Sequence, residues 1–576
     1  MKATKKIVSV VLALVLATAG LVVPVSAART VPLVYVGGFC TTTLYKNFDE
    51  NVDIKDAQPN AVFSEESITQ LVENVAPSFL KDVVSFGIAN KDYEKFADNL
   101  IPAINEFFAP VGCNPDGTSM DSTVGFYQNW EPMSVYEEDG EIEYRDGFKD
   151  VCCEYAKEYG SENVYSFQYD WRMSAIDNAV KLNEYIEHVK ELSDARKVNL
   201  VAYSQGSTIV LAYLNAFGSD SVNALTFLCP AWLGTGLAGS MFKGDIHLDL
   251  YTMENYLVQL GNVSATTHLV GFMITLIADY QGGLFGEFFG DIDIVIQGLL
   301  PYLYRDTVVP YIGGMAGVWD LTPYDMYDDA KEFFYNNEEI NSGAMNATLE
   351  GKVEAYKALQ NNAKLVIDRA MANGMKFYNI VGYNCQMTPI NDRLDMGDTV
   401  VETKYASGGA KCAYYLQAFD DFGNVYHQQV QDGHNHVSWD YKVDASTCMY
   451  PEQTWFIKNM QHVGEPLQVG ASKLAVWTLG QKKQATVTTD TAEHPQFMLY
   501  NTYKRKLTIM TGGVMGDLDG STAVTTADAR IALKIASAQI EPTDAQFALG
   551  DVDEDGEITT NDAEMILYVA TGIMSF

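Results

Sequence analysis

Short, wholly apolar runs alternate with longer stretches whose apolar residues recur at helical spacing. TVPLVYVGG opens with an apolar strand over Val31–Val36 and breaks at Gly37-Gly38 into the polar loop FCTTTLY. Helical spacing follows within 65–108, as in ITQLVENVAPSFLKDVVSFG, and NVYSFQYDWR returns to a strand followed by a loop. AVKLNEYIEHVKEL predicts an amphipathic helix, KVNLVAYS a buried strand, GSTIVLAYLNAF the next helix, and ALTFLCPAW and KFYNIVGYN two later strands. Strands that are apolar on both faces need covering on both sides. The pattern therefore predicts an α/β fold with a mostly parallel sheet between helical layers.

Two regions depart from this rhythm. From about 240 to 335 the chain is rich in Phe, Tyr, Leu and Ile without strand alternation, which reads as a helical cap over the active edge of the sheet or as ordinary buried helices. From 463 to 513, KLAVWTLG and QATVTTDT read as short alternating pieces of a small β unit or linker. Beyond it GDLDGSTAVTTAD (516–528) recurs as GDVDEDGEITTND (550–562), each copy followed by an apolar helical stretch.

The 576 residues exceed one ordinary core, and 47% hydrophobic with 12% aromatic residues describes a packed chain. The opening MKATKKIVSVVLALVLATAGLVVPVSAA has early lysines, an apolar run and small residues before Ala27, the pattern of a secretory signal over 1–27. No later segment holds about 20 uncharged apolar residues, so a secreted protein without stable membrane insertion is expected. A net charge of -37 disfavours nucleic acid and anionic membranes as partners. Eight cysteines sit in a compartment where disulfides form. None is in a C-x-x-C arrangement, and their pairing stays open.

The acidic repeat has the alternate-oxygen spacing that wraps a chain around calcium. In the second copy Asp551, Asp553, Asp555, the Glu557 carbonyl and Asp562 fall at loop positions one, three, five, seven and twelve. In the first copy these are Asp517, Asp519, Ser521, the Ala523 carbonyl and Asp528. Two copies in register, each before a helix, speak against a merely solvated turn. The region 514–576 resembles the type I dockerin, whose loops end in Asp. The resemblance implies two structural calcium ions and docking onto a cohesin module of a scaffold protein, with Thr526, Ala527, Thr560 and Asn561 among the recognition positions. Ser521 replaces a usual ligand, and Thr522 stands where Gly556 gives the second loop its turn, so weaker binding at the first site is expected. As a separate module, the dockerin is expected to lose calcium without harm to the rest of the chain.

The chemistry centres on NLVAYSQGSTIVLAYL. Acyl transfer needs a nucleophile at a sharp turn, a histidine to take its proton, an acid to orient the histidine and donors for the oxyanion. Ser204 lies between a strand and a helix, in A-x-S-x-G rather than G-x-S-x-G, with Ala202 as the small residue. Oxyanion donors are expected from the Gln205 amide and the loop VGGFCTTTL. For an acid after KFYNIVGYN, Asp398 in MGDTVVETK competes with Asp395 and Asp392. DGHNHVSWD then offers His434 and His436, whereas His427, His462 and His494 lack that glycine-containing context.

Together, LVYVGGFCTTTL, YDWR (169–172), AYSQG, CPAWLGT (229–235), GDTVV and HVS are similar to the lecithin:cholesterol acyltransferase and lysosomal phospholipase group of α/β-hydrolases, over roughly 31–462. The resemblance implies an α/β-hydrolase domain (28–462) with Ser204 as nucleophile, Asp398 as acid, His436 as base, and the Cys40 and Gln205 amides as oxyanion hole. It needs no catalytic cofactor. Asp170, Trp171 and Arg172 read as a structural brace beside the nucleophile, and Trp232 either borders the acyl site or packs. The expected activity is hydrolysis or transfer of lipid acyl esters. A carbohydrate esterase and a non-catalytic scaffold-bound interaction protein are the alternatives.

Overall fold

The computed structural model describes residues 30–63, 93–138, 141–142, 147–247, 292–340, 343–390, 394–419, 426–428, 433–464, 466–510 and 512–575. The signal segment 1–27, Asp392 and the middle of the expected cap lie outside the described residues.

Among the described residues eight strands form the main sheet: β1 Leu33–Val36, β2 Val164–Phe167, β3 Val198–Tyr203, β4 Val222–Leu228, β5 Lys376–Tyr383, β6 Thr454–Lys458, β7 Phe497–Asn501 and β8 Lys506–Ile509. Their spatial order is β8-β7-β6-β5-β4-β3-β1-β2. Every neighbouring pair is parallel except β7 with β8. β1 pairs with β2 on one side and β3 on the other, so the winding reverses there, and the crevice at the carboxyl ends of such strands is where open α/β sheets place their sites.

Strands read as apolar throughout are buried throughout. β1, β2 and β3 have no exposed residue. Helices Ala175–Ser193, Gly206–Phe217, Ala347–Asn361 and Ala363–Ala372 build a large core on one face, with Leu182, Val210, Tyr356 and Ile367 fully buried. Asp150–Tyr159 and Ser472–Gly480 cover the other, around Tyr155, Trp455 and Leu474. Each such buried aliphatic side chain contributes about 1.5–3 kcal/mol.

The segment 463–513 is not a separate β unit. KLAVWTLG lies in the helix Ser472–Gly480, because Leu474, Ala475, Val476 and Leu479 turn into the second core, and β7 and β8 extend the main sheet. QATVTTDT forms no strand. The strands TWFIK and FMLYN, which the hydropathy reading passed over, are the ones that continue the sheet. In the cap region the described residues are helical: Gly236–Lys243, Ile292–Leu303, Ala316–Asp320 and Tyr327–Asn336, with Phe242 stacked on Trp319 at 3.8 Å.

Helices Thr526–Ala536, Asp544–Gly550 and Thr560–Ala570 follow the sheet. They do not stand apart from it. Leu518, Phe547 and Ile558 share one apolar cluster with Tyr383, Phe497 and Leu499 at the β5–β7 end. The Tyr503 hydroxyl donates to the Ile558 carbonyl (3.2 Å), and Lys504 pairs with Asp544 (2.8 Å).

Candidate active site

β3 ends at Tyr203 and the next helix begins at Gly206, so the chain reverses at Ser204, whose φ is 51°. A left-handed non-glycine residue costs about 1–2 kcal/mol. Neighbours offset it: the Ser204 amide donates to the Leu228 carbonyl (3.2 Å), and the Ser204 carbonyl accepts from the Ala231 amide (3.1 Å). A Cβ at Gly206 would run into the carbonyl oxygens of Val36 and Gly37, so the helix reaches β1 only because it has no side chain there. Ala202 is fully buried, where a small residue was expected.

His462 Nε2 lies 2.9 Å from Ser204 Oγ, and His462 Nδ1 lies 2.8 Å from Asp398 Oδ2. Nδ1–H donating to the carboxylate leaves Nε2 to accept the serine proton. All three side chains are buried. Asp398 Oδ1 accepts the amides of Val401 (2.8 Å) and Val400 (3.1 Å), and its carbonyl accepts the His462 amide (2.5 Å). The Tyr203 hydroxyl donates to the His462 carbonyl (2.6 Å).

His436 is not part of this line. Its Nδ1 lies 2.9 Å from Gln496 Oε1, its amide donates to Gln428 Oε1 (2.9 Å), and its ring meets His434 edge-on at 4.6 Å. The glycine-containing loop and the HVS triplet pointed to it. Position on the sheet decides otherwise, because His462 closely follows Lys458 at the carboxyl end of β6, beside β5. An apolar strand followed by a short polar turn and a histidine, TWFIKNMQH, was the available signal. Asp395 is also set apart: it pairs with Lys404 at 3.0 Å.

In the loop after β1, Gly38 is the residue against Ser204. A Cβ there would stand 2.7 Å from Ser204 Cβ and 3.1 Å from Oγ. Cys40 lies two residues on, buried at φ 61°. Gln205 follows Ser204 directly at the start of the helix, and its side chain donates to the carbonyls of Trp171 (2.9 Å) and Gly317 (3.0 Å). The Tyr169 hydroxyl donates to the Gly37 carbonyl (2.7 Å), which fixes the loop. Arg172 holds Asp170 through two parallel hydrogen bonds (2.9 and 2.7 Å), and Trp171 packs against Phe39 and Phe63. YDWR is therefore a brace. Trp232 packs between Phe227 and Phe377 in the core. Cys229 lies beside Asp398 and His462, and burial together with the Asp398 carboxylate pushes its thiol up, so it stays neutral. None of the eight cysteines is in a disulfide.

The two acidic loops gather their carboxylates as their spacing requires. One oxygen each of Asp517, Asp519 and Asp528 falls within 4.8 Å of the others, as does one each of Asp551, Asp553 and Asp562. In the first loop Asp517 accepts the amides of Ser521 (3.0 Å) and Thr522 (2.7 Å), and the Ser521 hydroxyl donates to the Ala523 carbonyl (3.1 Å). In the second, Asp551 is only 6% exposed and its Oδ1 has no hydrogen-bond partner. Asp555 accepts the Glu557 amide (2.9 Å). Burial and the neighbouring carboxylates push Asp551 well up, and burial with Asp553 pushes Asp555 up to about 7. Orphaned, crowded carboxylate oxygens fit a hard divalent cation. Thr526, Thr560 and Asn561 are exposed and Ala527 half-buried at the starts of the two long helices, with Asn561 donating to Asp553 (2.6 Å).

A family model described as the alpha/beta hydrolase fold matches residues 153–298, which include β2, β3, β4 and Ser204. No curated protein sequence matches the chain. Among solved structures, the Tle4-Tli4 complex is similar at 11% identity, covering 61% of this chain and 74% of that one with a TM-score of 0.23. The chain has the α/β-hydrolase fold, with a mostly parallel eight-stranded sheet.

Proposed function

We propose that this chain is a serine ester hydrolase or O-acyltransferase acting on lipid acyl esters. The observation that carries the reading is the hydrogen-bonded line from Ser204 through His462 to Asp398 at a left-handed elbow. In this mechanism Ser204 Oγ attacks the ester carbonyl while His462 Nε2 takes its proton. Asp398 holds the imidazole and stabilises its positive charge. The tetrahedral oxygen is held by amides of the loop after β1, with Cys40 the expected donor, and by the Gln205 amide at the helix start. His462 then gives the proton to the departing alcohol. Water or a second alcohol, deprotonated by the same nitrogen, releases the acyl group. Phe39, partly exposed beside Trp171 next to the Gly38 contact, offers apolar surface on which an acyl chain could lie.

The C-terminal repeat serves, in this proposal, as a dockerin that carries a secreted enzyme to a cohesin module. Asp517, Asp519, Ser521, the Ala523 carbonyl and Asp528 would hold one calcium ion, and Asp551, Asp553, Asp555, the Glu557 carbonyl and Asp562 the second. Bound calcium supplies the positive charge that the crowded carboxylates lack.

The test is turnover of esters graded from acetyl to long acyl, with labelling by a fluorophosphonate. Ser204→Ala and His462→Ala are expected to lose about 10⁴–10⁶-fold in kcat, whereas His436→Ala keeps most of it. Full loss in His436→Ala with retention in His462→Ala would sink the assignment. A preference for acetyl-xylan over long-chain esters would select the carbohydrate-esterase alternative.

A further inference from the structure

Between the ligand positions Asp553 and Asp555, the second acidic loop turns Glu554 the other way, into the hydrolase. Its φ is 61°, and its side chain is 11% exposed. Glu554 Oε1 accepts from Lys458 Nζ (2.7 Å), and Oε2 pairs with Lys442 Nζ and accepts from Asn384 Nδ2 (3.2 Å). Lys442 also donates to Asn384 Oδ1 (2.6 Å), and Lys458 pairs with Asp440 (3.3 Å). Both lysine side chains are nearly buried.

What these partners hold matters. Lys458 ends β6 and Asn384 follows β5. Asn384 Nδ2 donates to Asn459 Oδ1 (2.8 Å), and the Asn459 amide donates to the Tyr383 carbonyl (2.9 Å), so the clasp ties the ends of β5 and β6 together. His462 lies three residues beyond Asn459. On the other branch Cys385 pairs with Gly397, the residue before Asp398. A Cβ at Gly382 would meet the Asp398 side chain at 2.8 Å, so the two branches close on each other with no slack.

We propose that Glu554 is a positioning residue for the Ser204–His462–Asp398 line, and that divalent-cation binding at 551–562 sets that line by fixing Glu554 between its two ligand neighbours. The proposal rests on the catalytic and calcium readings above. It reverses the expectation of an independent module: removing the cation loosens the two segments that carry the acid and the base. Because the clasp acts on orientation rather than on substrate, its loss lowers kcat more than it raises KM.

Hydrogen–deuterium exchange of the full chain, titrated with calcium chloride, tests this alongside ester turnover. In the wild type, calcium is expected to slow exchange of 384–390, 394–398 and 459–464 by about tenfold and to raise kcat by about tenfold, with one midpoint for both. Glu554→Gln is expected to keep calcium binding by calorimetry and lose both responses, and Glu554→Asp to recover part of them. Asp517→Asn, at the first ligand position of the other loop, keeps the slowing. If Glu554→Gln does not fold, Asp551→Asn decides, because it removes a ligand and leaves the clasp in place; it too should abolish the slowing. Calcium binding at 551–562 with unchanged exchange in both segments overturns the proposal, as does a full response in Glu554→Gln. Wild type that neither turns over esters nor labels at Ser204 defeats the catalytic reading instead, and exchange alone then decides the coupling.

Discussion

The two acidic loops share one spacing and make different contacts. At position four the first has Gly520, exposed at φ 74° with nothing near it, and the second has Glu554 at φ 61°, clasped by Lys442 and Lys458. At position six the first has Thr522 at φ 69°, where a β-branched residue is strained, and the second has Gly556 at φ 94°. The first loop satisfies Asp517 from its own amides, whereas the second leaves Asp551 Oδ1 unpartnered. A shared ligand pattern therefore says little about role. The residues between the carboxylates decide whether a loop faces solvent or forms a joint with the neighbouring sheet.

The largest test of this contrast is truncation at position four. Glu554→Ala leaves Lys442 and Lys458 buried with too little opposing charge and is expected to cost about 3–5 kcal/mol in urea unfolding. Gly520→Ala is expected to cost about 1–2 kcal/mol, the penalty of a left-handed alanine. Equal costs would erase the distinction.

Next comes pH. Asp555 is held up to about 7 by burial and Asp553 in the cation-free loop, whereas an unfolded aspartate titrates near about 4. Between those values the folded chain keeps a proton that the unfolded chain has released, so stability falls as pH rises through the window. Thermal scans without calcium should show Tm falling there, and saturating calcium should flatten the trend. A cation-free Tm that rises from about 4 to about 7 would contradict the crowding of the second loop.

The smallest effect is expected from Thr522→Gly. Relief of the left-handed strain outweighs the added freedom of the unfolded chain by less than about 1 kcal/mol, and calcium binding at the first loop tightens slightly. Calorimetry of this variant against wild type checks it.

Much of the architecture was legible because it is locally encoded. β1 to β5 are apolar runs bounded by turns, and the helices between them carry their own periodicity. Ser204 was legible for the same reason, since strand, elbow and helix are contiguous. β6 and β7 are five residues each and look like fragments of loop until the sheet pairs them. KLAVWTLG misled because its alternation is too short to separate strand from helix, and the second core chose helix.

By itself the sequence determined an α/β sheet, a serine at its elbow, an acid after β5 and two acidic loops in register. Each is a feature of contiguous residues. Only the tertiary structure decided which histidine meets Ser204, 258 residues away, and that Glu554 joins the last loop to Lys458, 96 residues earlier. Hydropathy and motif spacing report what neighbours along the chain do. A hydrogen-bonded line assembled from three strand ends, and a clasp between an acidic loop and a sheet, exist only where the fold brings distant segments into contact.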